Sequence, residues 1–232
     1  MSLIIATVQG GNAILLTDGA TYRKDAAIDR IGSKIITLPG VCGALAYEGR
    51  ACREDIAAMA KGLAIRSALD LVQGLGKLAS EMRDWRMQWH PAEQDADIFL
   101  CAAVYAPGVG PSLWVAWIGG EADRPGLTPG RERNVSRYCN YGDPSELLAR
   151  PVDRRDPESF DPPSDGVKLA EVARSGPWDA HVTGHYVGGF LEMTTVGASG
   201  VTKCKLCHWP DKAGAPVDPT RPRRRNWFNS RR

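Results

Sequence analysis

Residues 2–19, SLIIATVQGGNAILLTDG, decide the fold. Residues 2–8 (SLIIATV) are apolar and partly β-branched, Gln9-Gly10-Gly11-Asn12 is a turn signal, and residues 13–17 (AILLT) form a second apolar run ending at Asp18-Gly19. Two short β-favouring runs joined by a glycine pair predict a hairpin. Such a hairpin returns the end of the second run to the start of the first, so Asp18 is expected beside Ser2. A third run, residues 34–38 (KIITL), meets Pro39-Gly40, and a fourth, residues 41–47 (VCGALAY), precedes Glu48-Gly49. A second hairpin adjacent to the first brings Lys34 into the same cluster.

Ser2, Asp18 and Lys34 stand at equal intervals of 16 residues, each at the edge of a strand-like run. Removal of Met1 would leave Ser2 with both a hydroxyl nucleophile and a free α-amine of pKa about 7.7–8.0, suited to general-base work near neutral pH. Each residue also has a plain structural reading: a Ser after Met, a turn Asp-Gly, a solvated Lys at a strand end. Their joint spacing sets them apart from those readings.

Residues 2–50 resemble the opening of proteasome β-type subunits and of the bacterial proteasome-like peptidase that works with an unfoldase. Those proteins carry an N-terminal Thr, an Asp-Gly or Asp-Ser after the second strand and a Lys opening the third, at the positions of Ser2, Asp18 and Lys34. Ala20-Thr21 echoes the family's Ala-Thr, one residue closer to the Asp, and implies Thr21 as a substrate-binding residue. The resemblance implies an N-terminal nucleophile (Ntn) hydrolase, α+β, with two stacked antiparallel sheets covered by helices on both outer faces, a four-layer αββα sandwich. It also implies peptide or protein substrates, a homo-oligomeric ring, and an unfoldase or a larger assembly as partner. No cofactor or metal is implied.

Three motifs depart from the family. Its Gly-Ser-Gly before the third helix is missing, and Tyr138-Cys139-Asn140-Tyr141-Gly142 stands in its place. Its Gly-x-x-Gly around the oxyanion donor appears as Gly43-Ala44-Leu45-Ala46-Tyr47, which moves the donor amide to Tyr47; a backbone N–H serves with any side chain whose φ/ψ the site accepts. The later Arg-Asp-x-x-Ser-Gly-Gly appears as Gly184-His185-Tyr186-Val187-Gly188-Gly189, which keeps the glycines and loses both polar groups. The candidate catalytic set is therefore Ser2, Asp18, Lys34 and Tyr47. Replacing Thr by Ser at the nucleophile keeps one Oγ and loses a methyl that stiffens χ1.

Elsewhere the periodicity follows the same order of elements. Residues 53–66 (REDIAAMAKGLAIR) and 67–89 have helical spacing of apolar positions and read as two helices on one sheet. Residues 97–105 (DIFLCAAVY) and 112–118 (SLWVAWI) read as strands, residues 167–174 (VKLAEVAR) as a short helix, and residues 190–196 and 201–209 as a closing hairpin. Residues 142–166 hold five prolines and read as a long surface insertion, with at most one helical turn at 145–149.

The chain has 232 residues, 43% hydrophobic and 24% charged, and reads as one globular domain over about 1–210 with a tail over 211–232. No apolar run reaches the about 18 residues of a membrane span and no basic leader precedes the first strand, so a cytoplasmic location without membrane contact is expected. The cysteines read as a reduced set, with Cys42 and Cys101 in apolar runs. Cys204-Lys205-Leu206-Cys207-His208 has half a zinc site's spacing without a second pair, and strand alternation puts its two thiols on opposite faces. Residues 221–232 (RPRRRNWFNSRR) carry six Arg and two aromatics, which suit nucleic acid, a neighbouring subunit or a solvated end. The net charge of +2 argues against a dedicated nucleic-acid protein. Two readings remain, a peptidase with Ser2 as nucleophile and a catalytically silent subunit of the same fold.

Overall fold

The computed structural model describes residues 3–48, 53–89, 97–119, 127–140, 148, 156–177 and 183–225. The chain is α+β, with antiparallel sheets and few helices. Strands β1 (Ile4–Gln9) and β2 (Asn12–Asp18) pair from Ile4↔Thr17 to Gln9↔Asn12. Gly10 and Gly11 close the hairpin with φ of +54° and +70°. Two consecutive left-handed residues make the turn whose twist matches that of the flanking strands, and glycine enters that region without a Cβ penalty.

The chain continues through β3 (Ala20–Tyr22), β4 (Ile28–Ile31), β5 (Ile35–Thr37), β6 (Gly43–Glu48), helices α1 (Arg53–Gly62) and α2 (Ala68–Trp89), then β7 (Ile98–Ala106), β8 (Gly110–Ile118), β9 (Glu132–Val135) and β10 (Arg137–Cys139). Helix α3 (Pro162–Ser175), β11 (Phe190–Gly197), β12 (Gly200–His208) and β13 (Arg224–Arg225) complete it. Among the described residues one sheet runs β10-β1-β2-β11-β12-β13, a second runs β5-β6-β7-β8-β9, and β3-β4 form a small hairpin of their own. The hairpins carrying Asp18 and Lys34 therefore belong to different sheets, where adjacent hairpins were expected. Lys34 reaches Asp18 by crossing from one sheet to the other.

Side-chain alternation along each strand decides what every face covers. Ile4, Ala6 and Leu15 of the first sheet pack with Ala44, Phe99, Val115 and Trp117 of the second. The opposite side of β1 and β2, Leu3, Ile5 and Leu16, packs with Phe160 and with Leu169 and Ala173 of α3. Leu45, Leu100 and Ala102 turn onto Ile56 of α1 and Leu71, Leu75 and Met82 of α2. Each such large side chain, removed from water, contributes roughly 1.5–3 kcal/mol. No helix among the described residues is long and apolar enough to cross a membrane.

Gly76 shows how tightly α2 sits. A Cβ there would lie 2.3 Å from the carbonyl oxygen of Gly130, whose own amide is tied to the Trp117 carbonyl at 2.7 Å. Alanine improves helix propensity by about 1 kcal/mol, whereas overpacking against fixed backbone costs about 1–3 kcal/mol. The second effect wins, so Gly76→Ala is expected to lower the denaturant midpoint; a raised midpoint would mean that the helix is free to move off the loop.

The sequence expectations need two corrections in the second half of the chain. The third helix begins at Pro162 rather than near Val167, with prolines in its first turn. The first-turn amides of a helix have no intrahelical acceptor, so a residue lacking an N–H costs little there. Asp165 accepts from the Asp161 amide at 2.9 Å and closes that end. Pro162, Pro163 and Gly166 are thus helical, not insertion; the turn expected at 145–149 falls outside the described residues, apart from residue 148. After Trp209 the chain runs on over the body: Pro216 bridges Ala27, Val217 is buried, and β13 pairs with the end of β12. Residues 226–232, with Trp227 and Phe228, lie outside the described residues.

Candidate functional site

The hairpin register sets Asp18 one step beyond the Ile4↔Thr17 pair, at the start of β1. Its carboxylate is fully buried and takes four hydrogen bonds. Oδ1 accepts from the Leu3 amide at 3.0 Å and from Lys34 Nζ at 2.6 Å. Oδ2 accepts from the amides of Ala20 and Gly188, both at 3.3 Å. The two side chains are 0% and 2% exposed, so this is a buried ion pair with its carboxylate saturated by donors. Such saturation is what keeps a buried charge tolerable.

Burial pushes the Lys34 ammonium below the ordinary lysine value, and the attraction of Asp18, then of Glu48, opposes that push without cancelling it. A lysine of depressed pKa exchanges a proton more readily near neutral pH than a solvated one. The Tyr22 ring lies under the same ammonium, 5.8 Å from Nζ, and meets Tyr186 edge-on. Burial first, then the nearby Asp18 and Asp211 carboxylates, raise the Tyr22 hydroxyl well above the ordinary tyrosine range. It stays protonated beside two acids.

Of the residues singled out in the sequence, Asp18 and Lys34 are brought together directly. Thr21 follows Ala20, whose amide Asp18 holds, and its hydroxyl donates to the Arg30 carbonyl at 3.2 Å. Tyr47 stands in β6 opposite Leu100, and one step beyond the Ile35↔Ala46 pair sets it across from Lys34. Its ring is buried among the residues facing α1 and α2, away from Asp18. Ser2 lies outside the described residues, joined covalently to Leu3.

Beyond the Gly188-Gly189 pair, already noted in the sequence, several members of the site had no clear sequence signal. The Gly188-Gly189 turn comes from far along the chain and is gripped from two sides. Gly188 N–H goes to Asp18, and Gly189 N–H goes to Asp211 at 2.8 Å. A Cβ on Gly188 would stand 2.8 Å from the Asp211 carboxylate and 3.2 Å from the Tyr22 hydroxyl, which is the packing reason for a glycine. Asp211 is itself held by Arg174 through two bonds of 2.7 and 2.8 Å. That guanidinium also donates to the Val187 and Asp218 carbonyls and stacks over Trp209. A planar cation with several fixed donors suits this bidentate role.

On the facing side, the Ser33 hydroxyl bonds the buried Glu192 carboxylate and Lys203 Nζ donates to the Ile35 carbonyl at 3.0 Å. His185 Nδ1–H donates to the Arg174 carbonyl at 2.9 Å; His90 and His181 lie outside the described residues. Cys204 is exposed and Cys207 buried; the bulge between them pairs them with Met193 and Leu191, which share one face of β11, so the simple alternation expected from the sequence does not hold there. Among the described residues no group of three or more His, Cys, Asp or Glu side chains could hold a metal ion. No protein-family model matches the chain, and no curated protein matches it.

Proposed function

We propose that this chain is a proteasome-like Ntn hydrolase, a four-layer αββα subunit that cleaves peptide bonds with Ser2 once Met1, or any segment ahead of Ser2, has been removed. The observation that carries the reading is the single Asp18 oxygen shared by Lys34 Nζ and the Leu3 amide. It ties a buried cation to the residue next to the nucleophile. The Ser2 Oγ attacks the substrate carbonyl while the Ser2 amine takes the hydroxyl proton through a water, the peptide nitrogen leaves with that proton, and a second water hydrolyses the resulting ester. Lys34 lowers the amine and hydroxyl pKa values, Asp18 holds Lys34 in place, the Tyr47 amide is the proposed oxyanion donor, and Thr21 lies where a peptide would pass. The subunit would act in the cytoplasm within a homo-oligomeric ring, alone or with an unfoldase.

One observation favours a second reading, a silent subunit that serves assembly. The family's supporting Ser is replaced by Val187, which is fully buried, and the Gly188-Gly189 turn offers Asp18 only a backbone donor. Intact-mass measurement and a β-lactone probe separate the two. The peptidase should begin at Ser2 and gain one probe mass that Ser2→Ala abolishes. A chain still carrying residues ahead of Ser2, with no labelling and no effect of Ser2→Ala, would establish the silent subunit.

A further inference from the structure

The segment 33–35 is held from the opposite sheet by a buried carboxylate, Glu192, and an exposed lysine, Lys203, which the mechanism above does not use. Lys34 sits between two anchored neighbours. Ser33 donates to Glu192 of β11, and its oxygen also accepts from the Ile35 amide at 3.2 Å. Lys203 of β12 closes on the Ile35 carbonyl. Glu192 is 6% exposed and pairs across β2 with Thr17, one residue before Asp18. Adjacent cross-strand rows, Asp18 opposite Leu191 and Thr17 opposite Glu192, therefore carry the carboxylate that receives Lys34 and the carboxylate that fixes the chain from which Lys34 projects.

A buried carboxylate is expensive to keep unless it is fully engaged. Glu192 is engaged by the Ser33 hydroxyl, and its charge favours the ammonium of the nearby Lys203. Hydrophobic packing alone would serve a purely structural role at this position between two sheets, so the retained charge calls for a polar task. We infer that Glu192 is a positioning residue for Lys34: through Ser33, and with Lys203 on Ile35, it clasps segment 33–35 so that the lysine ammonium is delivered onto Asp18. This inference rests on Lys34 being part of the proposed peptidase site, but the delivery itself is a property of the folded chain.

The groups facing Lys34 are Asp18 from β2, the Tyr22 ring from β3 and Glu48 from β6. Glu192 acts on it through position rather than charge, which makes the conservative variant informative. Glu192→Gln keeps an oxygen that accepts from Ser33; Glu192→Ala removes it, and Ser33→Ala removes the donor with little volume change. The test follows the Lys34 13Cε resonance against pH in the full chain labelled at lysine, assigned by its loss in Lys34→Arg, together with peptidase kcat and KM.

Glu192→Ala and Ser33→Ala should move the Lys34 midpoint up toward the ordinary lysine value, because a released side chain regains water. In both, kcat should fall by up to about 10²-fold with KM little changed, the effect of misplacing a reacting group, while Glu192→Gln restores the native midpoint. An unmoved Lys34 midpoint in both alanine variants overturns the inference, as does a Gln variant as displaced as the Ala. If the native chain has no peptidase activity yet the midpoints follow the expected pattern, the clasp stands and the peptidase reading falls. An active native chain with unmoved midpoints means the reverse.

Discussion

Asp18→Ala should lower the unfolding free energy by about 3–5 kcal/mol, the range for removing one partner of a buried ion pair. The variant leaves Lys34 in a site that is 2% exposed without its counter-charge, and leaves the Leu3, Ala20 and Gly188 amides without their acceptor. Adding Lys34→Met should recover much of the loss, because a buried thioether needs no counter-ion; the three amides keep recovery from being complete. Asp18→Asn should fall between, since its amide oxygen still accepts. Chemical denaturation of the native chain, Asp18→Ala, Lys34→Met and the double variant closes the cycle, and additive losses would mean that the two side chains do not act as a pair.

The pH dependence has a definite sign. The folded Lys34 value lies below the ordinary value of 10.5, so between the two the unfolded chain binds more protons, and this group adds stability as pH rises through that window. Asp18→Ala removes the largest force that raises the folded value. The window then opens toward lower pH, and the variant should regain stability with rising pH over a wider range than the native chain.

Arg174→Ala and Asp211→Ala should each cost about 3–5 kcal/mol for the same reason, with a second, local consequence. The pair is 3% and 1% exposed and joins α3 to the segment after β12. Arg174 donates to the Asp218 carbonyl and Asp211 receives the Gly189 amide. Without the pair, Lys212 and Arg221 should become early trypsin sites in the native state, seen as loss of the C-terminal fragment before the body is cut. Arg221→Ala is the control: its bond to Asp218 joins side chains that are 53% and 44% exposed, and such pairs contribute about 0–1 kcal/mol.

Much of the frame was legible because it is local. The Gly10-Gly11 pair between two apolar runs leaves the chain one cheap way to turn, and the spacing of Leu71, Leu75 and Met82 follows one face of α2. What failed was also local in cause. Ala20–Tyr22 and Ile28–Ile31 form strands of only three and four residues, embedded in a polar stretch whose alternation is too short to read. The proline pair at the start of α3 looked like a break because proline disrupts a helix interior, whereas in the first turn it is readily accommodated. The site divides in the same way. Asp18 and Lys34 could be paired from a shared interval, whereas the Gly188 amide, the Arg174–Asp211 pair and the Ser33–Glu192 bond join residues between 37 and 170 positions apart. No window of sequence contains both ends of such contacts.

Strand β12 has nine residues, and among the described residues only Cys207 and His208 receive a partner from β13. The remainder of that margin is a row of peptide groups of the sort on which another chain could extend the sheet and seed fibres. Lys203 and Lys205 stand along it, and the short capping strand is Arg224-Arg225. Like charges at a sheet margin repel a second copy laid against it, so the basic character of this end protects the protein's solubility whatever else the arginines touch.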